Sequence, residues 1–241
     1  MEHSLRQQDP IAPQLFRQLR LAIVEMRLTP GEAISEKEIS LRFSVSRQPV
    51  REAFIKLSEA GLLEIRPSRG TYVRKISVRE IADARFVREA VECSLVRHAA
   101  QMASPADSNA LHALIEQQEQ AANQDDFADF NRYDEIFHRS IGDIVQCDYA
   151  LRTVERARNQ IDRVRFLSLG AATPMIRLIA QHKDIATSVA AGDADRADEA
   201  MRSHLREVML ALPQLAKANP DIFEDQSLPP HALGIVVSPS R

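Results

Sequence analysis

Cysteine is scarce in this chain of 241 residues: its two thiols, Cys93 and Cys147, share no metal-binding or redox spacing. That excludes a disulfide scaffold, and it implies buried free thiols in a reducing cytosol. No stretch of about 18 uncharged apolar residues occurs, so no helix is expected to span a bilayer. The N-terminus carries no secretory apolar region, and the protein is expected to be cytoplasmic. Strand signals nearly vanish beyond residue 80, and no internal repeat stands out. A content of 44% hydrophobic and 27% charged residues excludes a mostly disordered chain. The length suffices for two domains, each with its own core.

What is present is a charge asymmetry. Residues 1–80 hold fourteen Lys/Arg against ten Asp/Glu, a net of +4, so the remainder carries −7. From Lys37 to Lys75 nine Lys/Arg stand against four Glu, a local +5 that suits a phosphate-binding face. The boundary falls near Lys75 to Glu80, where Ser77 and Glu80 form a capping box that opens a new helix. A linker this short can transmit a rearrangement rather than absorb it.

Within the basic part, Leu15, Leu19, Ala22, Ile23 and Met26 recur at helical spacing and stop at Thr29-Pro30-Gly31. Ser35 and Glu38 bracket the start of a second helix. Ser46 opens a third and is expected to accept a backbone N–H, with Pro49 in the first turn. Arg47 and Arg51, four apart, share a face opposite Val50, Phe54 and Leu57. An exposed arginine pair on a helix anchored by an apolar stripe fits a DNA major groove, because the guanidinium fork reads guanine edges or clamps phosphates. Gly61 stops that helix. Two short strands, Leu62 to Ile65 and Thr71 to Val73, then flank the basic tip Arg66-Pro67-Ser68-Arg69-Gly70 and make a wing.

The ordered blocks Pro30-Gly31-Glu32, Ser35-Glu36, Val45 to Ala53, Gly61-Leu62-Leu63 and Arg69 to Val73 resemble the winged helix of GntR-type bacterial regulators. The resemblance implies that Lys37, Ser46, Arg47, Gln48 and Arg51 contact operator phosphates and bases. It also implies that the wing, with Arg66, Ser68, Arg69 and Gly70, enters the neighbouring minor groove.

From Ile81 to Leu215 the periodicity is helical throughout, broken at Ser104-Pro105, Asn123 to Asp126, Gly170 to Pro174 and Gly192-Asp193. The expected fold is mainly α. An N-terminal winged helix-turn-helix of three helices and a small two-stranded β wing occupies residues 1–76. An all-α bundle of six to seven helices follows over 77–218. Prolines 220, 229, 230 and 239 make residues 219–241 an extended tail, in which Leu233 to Val237 could add a short strand.

Asp134 and His138 lie four apart on one helix face, the spacing by which a helix offers two ligands to one ion. His182 and His204 lie on the helices before and after Gly192-Asp193, nearly level in an antiparallel pair. Three imidazoles and a carboxylate, with no thiolate, suit Zn²⁺, Ni²⁺ or another first-row ion and leave coordination positions open. Taken singly, each histidine is more often a surface or satisfied core residue. Together with Phe130, Phe137, Gln181, Ile185, Gly192-Asp193, Ala197, Met201 and Leu205, the set resembles the FCD effector domain of the FadR-like GntR subfamily. That resemblance implies a divalent transition metal on Asp134, His138, His182 and His204, zinc first and nickel or manganese next. Gln181 stands where that family often has Glu. Arg88 and Glu92 match the family's Arg followed by an acid; they form either an intrahelical ion pair or a site where Arg88 receives an effector carboxylate bidentately. Arg163 and Arg165 are further candidates, and periodicity does not decide which faces inward.

These residues point to a transcriptional regulator, not an enzyme, and a repressor more readily than an activator. Its expected partners are operator double-stranded DNA, a small organic acid effector and a second copy of itself, with no membrane. Two alternatives stand beside it. A metal-dependent hydrolase with an accessory nucleic-acid module could use the same ligands, although Glu135 diverges by about 100° from its neighbour Asp134 and is poorly placed as a base. A regulator binding an apolar acyl ligand without metal is the other.

Overall fold

The computed structural model describes residues 10–169 and 173–236. Gly170 to Ala172, part of an expected helix break, and the tail beyond Val236 lie outside the described residues. The chain separates into two compact units: residues through Ser77 joined by Asn219–Glu224, and Val78–Ala218 joined by residues from Asp225 onward. The mainly α architecture is the one the sequence indicates.

The first unit runs α1 (Ile11–Val24), β1 (Ala33–Ile34), α2 (Glu36–Arg42), α3 (Arg47–Glu59), β2 (Leu63–Arg66) and β3 (Gly70–Val73). Leu15, Leu19 and Ile23 of α1 pack with Val50, Phe54 and Leu57 of α3 in one buried cluster, so the apolar stripe of α3 faces inward and its arginines outward. Ser35 caps α2 by accepting the Glu38 N–H at 3.1 Å. Ser46 occupies the N-cap position of α3, but its side chain makes no capping bond, contrary to expectation. Its backbone is extended and its exposed hydroxyl is left to solvent. The wing is larger than the expected two strands. β1 adds a third, in the order β1-β3-β2, all antiparallel. Two residues are too few to leave an alternating pattern; β1 forms because Gly31 N–H bonds the Val73 carbonyl and Val73 N–H bonds Glu32. Gly31, at φ +89°, makes the turn that precedes it.

The second unit runs α4 (Val78–Met102), α5 (Pro105–Asn123), α6 (Phe127–Val145), α7 (Asp148–Ser168), α8 (Met175–Ala190), α9 (Ala194–Ala218) and α10 (Pro230–Val236). Ser104 and Asp107 form a reciprocal capping box at the start of α5. Pro174 sits at the N-cap of α8. Gly192, at φ +72°, turns the chain between α8 and α9. On α6 the buried series Phe130, Asp134, Phe137, His138 and Ile141 follows helical spacing, so two polar groups are carried into the core with the apolar stripe. Neither cysteine is in a disulfide; Cys93 is buried, which pushes its thiol pKa up, whereas Cys147 is exposed, contrary to the buried thiol expected.

The extended-tail expectation is corrected over Pro230–Val236, which is helical with Ala232 buried. Pro230 falls at the first helical position, where its missing N–H costs nothing and its fixed φ favours the helix. Upstream, Ile76 and Glu224 donate backbone hydrogen bonds of 2.9 Å to Ile222 and Ile76, and Phe223 is buried. No helix among the described residues is long and apolar enough to cross a membrane.

Candidate metal centre and DNA-reading surface

Asp134 and His138 of α6, His182 of α8 and His204 of α9 are all buried, and each offers a ligand atom within 4.8 Å of the others. The Nε2 atoms of His138 and His182 lie 3.1 and 3.3 Å from Nε2 of His204. Oδ1 of Asp134 lies 3.4 Å from Nε2 of His182 and 3.9 Å from that of His138. A tetrahedral ion with bonds of about 2.0 Å sets its ligand atoms roughly 3.3 Å apart, close to these spacings.

The outer faces of the imidazoles decide what the inner faces can do. Nδ1 of His138 is 2.7 Å from a Glu92 carboxylate oxygen, Nδ1 of His182 is 2.6 Å from the Gln118 amide oxygen, and Nδ1 of His204 is 3.0 Å from that of Gln181. Each partner atom is an acceptor, so each Nδ1 carries the proton and each Nε2 presents a lone pair to the common centre. Three lone pairs and a carboxylate oxygen converging this closely repel one another unless a cation stands among them. The donor set therefore fits a divalent metal. Among the described residues, the cationic donor that reaches these Nε2 atoms is Nη2 of Arg165, 3.2 Å from His204.

The protonation states agree. Burial pushes His182 down to about 3 against the opposing pull of Asp134. Burial also lowers His138, opposed by Glu92, and holds His204 well below its ordinary value together with His182 and His138. Glu92 and Asp134 stay below the usual carboxylate range although burial opposes it, because Arg88 and His138 flank the first and Arg165, His138 and Arg158 flank the second. Oδ2 of Asp134 binds Arg165 and, at 3.0 Å, Arg158, which leaves Oδ1 for the centre.

A pH dependence follows with a defined sign. Unfolded histidines bind protons near 6.5, whereas His182 stays neutral in the fold to about 3. The metal-free protein should therefore lose stability as pH falls from about 6.5 toward 3, with a further loss below about 4 as the paired carboxylates protonate. Chelator-treated protein melted at a series of pH values checks this; a flat profile between pH 7 and 5 would contradict neutral buried imidazoles.

Beside the centre opens a small cleft, with Arg88, Arg165, His204 and Glu207 among its polar lining residues and Ile161 and Leu178 among its apolar ones. Arg88 binds Glu92 through Nε at 2.5 Å, as the ion-pair reading expects, but its buried Nη2 has no partner among the described residues. Both Arg163 and Arg165 are buried. Arg165 reaches the centre, whereas Arg163 binds Gln160 on its own helix.

In the first unit Lys37, Ser46, Arg47, Gln48, Arg51, Arg66, Ser68, Arg69 and Gly70 are all exposed. Arg51 is held by Glu36 through two contacts of 3.1 and 3.2 Å. Gln48 donates to Glu52 at 3.1 Å. At the wing Arg66 stacks over Tyr72 with its guanidinium 4.6 Å from the ring centre, and Tyr72 bonds the Arg69 carbonyl at 2.9 Å. Ser68, at φ +59°, and Gly70, at φ +103°, shape the tip.

Comparison with known proteins decides the family. Residues 11–73 match the model of "Bacterial regulatory proteins, gntR family", and residues 83–207 match the FCD domain. The chain is 39% identical over 226 residues to the HTH-type transcriptional repressor RspR of Escherichia coli strain K12, covering 94% of this chain and 99% of that one. The chain belongs to the GntR family, with an FCD domain. An HTH-type transcriptional regulator of Streptomyces ambofaciens is 32% identical across 92% of this chain and 94% of its own length. Among solved structures, E. coli McbR/YncC shares the fold with a TM-score of 0.77 at 19% identity, covering 86% of this chain and 99% of that one. As a GntR/FCD protein the chain is a DNA-binding transcriptional regulator and not an enzyme, which sets aside the hydrolase alternative.

Glu92 and Gln181 stand out in the sequence for other reasons, and their link to the imidazoles emerges only in three dimensions. Gln118 and Arg158 carry no sequence signal. Gln118 could be suspected only as a polar residue on the apolar side of α5, between Leu111 and Ala121.

Proposed function

We propose that the protein is a homodimeric repressor, acting in the cytoplasm, whose affinity for its operator is set by a small organic acid bound beside a metal in the helical bundle. The observation that carries this reading is the convergence of three Nε2 lone pairs and Asp134 Oδ1 next to a cleft lined in part by Arg88, whose buried Nη2 has no partner among the described residues. The metal ligands are Asp134, His138, His182 and His204, and zinc suits their borderline nitrogen-rich set best. Arg88, Arg158 and Arg165 face Glu92, Asp134 and Asp162 around the centre, three guanidiniums against three carboxylates. A divalent ion adds two positive charges to that balance, so an anionic ligand is favoured, and Arg88 is placed to receive its carboxylate. The metal anchors the acid and supplies a Lewis-acidic contact.

The DNA-reading domain is residues 1–76, with Lys37, Ser46, Arg47, Gln48 and Arg51 toward the major groove and Arg66, Ser68, Arg69 and Gly70 toward the minor groove. The bundle over residues 77–218 binds the effector and dimerises. A ligand that shifts operator affinity must bind the free and DNA-bound forms unequally; a coupling of about 1–3 kcal/mol changes affinity roughly 5- to 150-fold. The test is a melting screen of metal-loaded protein against organic acids, followed by operator gel shifts with the acids that stabilise it. The expected result is an acid that raises the melting temperature and releases the operator only in the presence of metal. An acid acting equally well on chelated protein would overturn the metal's part.

A further inference from the structure

The residues that follow α9 return to the linker. Asn219–Glu224 belong to the first unit although the residues on either side of them belong to the second, so the chain passes between the units three times rather than once. Within the first unit, Ile76 donates a 2.9 Å backbone bond to the Ile222 carbonyl and accepts one of 2.9 Å from the Glu224 N–H, a parallel bridge centred on Ile76 and Phe223. Ile76 is fully buried and Phe223 is 4% exposed. One residue further, in the second unit, Asp225 Oδ1 accepts the Val78 N–H at 2.9 Å. Val78 opens α4, so this carboxylate takes one of the donors that a helix start leaves open. Residues 219–225 are thus a strap across the linker, and both its ends are anchored in the second unit, by α9 before it and by α10, with Ala232 fully buried, after it.

Resting on the homodimer and operator reading above, we infer that Phe223, Glu224 and Asp225 are positioning residues for DNA binding: by gripping the linker on both sides of Ser77 they fix the half-site spacing that the dimer accepts. Residues 74–77 alone join β3 to α4, and four residues free to rotate about φ and ψ reach about 14 Å. Adjacent base pairs are about 3.4 Å apart and about 35° in twist, so a free linker lets a reading head follow a half-site displaced by a base pair or two. Bonds to Ile76 and Val78 remove that freedom before DNA arrives, and the operator then has no linker to order.

Full-length protein is titrated with an operator that the wild type selects from random duplexes, with the same operator carrying two extra base pairs between its half-sites, and with an isolated half-site. Glu224→Pro removes the N–H that bonds Ile76, and Asp225→Ala removes the acceptor of the Val78 N–H. Wild type should bind the lengthened operator at least about tenfold more weakly. In Glu224→Pro/Asp225→Ala that penalty should shrink to about threefold or less, and binding to the original operator should weaken, because DNA must now order the linker. Half-site binding should stay as in the wild type. Each single variant should move the same way by a smaller step, which keeps the test open where the double variant is unstable. Asp225→Asn keeps an acceptor oxygen and should behave as wild type. A double variant, or failing that both single variants, retaining the full spacing penalty would overturn the inference and leave the homodimer reading standing. So would an equal loss of half-site and whole-operator binding, since that marks the strap as a support for the fold of the DNA-reading domain alone. A wild type indifferent to the spacing would overturn both.

Discussion

Replacing His182 with alanine should strip the metal and lower the melting temperature of the purified protein by about 10 °C. His182 is fully buried, its Nε2 faces both Asp134 and His204, and its Nδ1 is fixed by Gln118. Losing an outer partner of a ligand typically costs 10- to 100-fold in metal affinity, so losing the ligand itself should cost well beyond that range and leave the site empty. A metal present at about 1,000 times its dissociation constant stabilises by about 4.1 kcal/mol. For a chain of this size each kcal/mol is worth roughly 2–4 °C, which gives the expected shift. Chelation should lower the wild-type melting temperature by a similar amount and leave His182→Ala unmoved. Gln118→Ala should fall between the two, because the imidazole stays but its tautomer is no longer fixed. Elemental analysis with chelator competition reads affinity directly. Wild-type protein holding no near-stoichiometric metal, or melting identically with and without chelator, would remove the metal from the proposed function.

The cluster of Asp134, His138, His182 and His204 is legible in the sequence because each of its relations is local or nearly so. Asp134 and His138 are one turn apart, and His182 and His204 are related through a hairpin whose turn Gly192 marks. The winged helix is legible for the same reason, since caps, glycine stops and an arginine pair are short-range signals. What is not legible depends on packing between distant segments. Gln118 is one of several glutamines on α5, and nothing but the approach of α8 selects it to hold His182. Arg158 looks like a solvent-facing residue of a charged helix, and periodicity leaves the direction of Arg165 open. They are buried because Asp134 compensates them across the interface with α6, a pairing visible only once both helices are placed. α10 is hidden because proline reads first as a breaker, whereas in a first turn it is a starter.

Truncating Arg47 or Arg51 to alanine should weaken operator binding by roughly 5- to 150-fold where the arginine reads a base, with the fold unchanged. Both side chains are exposed on α3, whose buried face is carried by Val50, Ala53, Phe54 and Leu57, so either change should alter stability by no more than about 0.5 kcal/mol. The two arginines are not equivalent. Arg47 makes no ion pair among the described residues, whereas Arg51 is gripped by Glu36 from α2. That exposed pair is screened by solvent and weaker than a bidentate contact to guanine, so DNA can take the guanidinium from Glu36. In the free protein the carboxylate instead narrows the orientations of a long side chain and presents it from a defined place. Glu36→Gln should therefore separate two effects: it removes a negative charge from a surface that meets phosphates, and it releases Arg51. Weaker operator binding in Glu36→Gln would mean that holding Arg51 outweighs the repulsion, and tighter binding the reverse. The salt dependence tells base readout from phosphate clamping, since removing one phosphate clamp lowers the slope of log affinity against log salt by about one. An unchanged gel shift in the double variant Arg47→Ala/Arg51→Ala, which should abolish the contribution of both residues at every half-site, would show that α3 is not the helix that reads DNA.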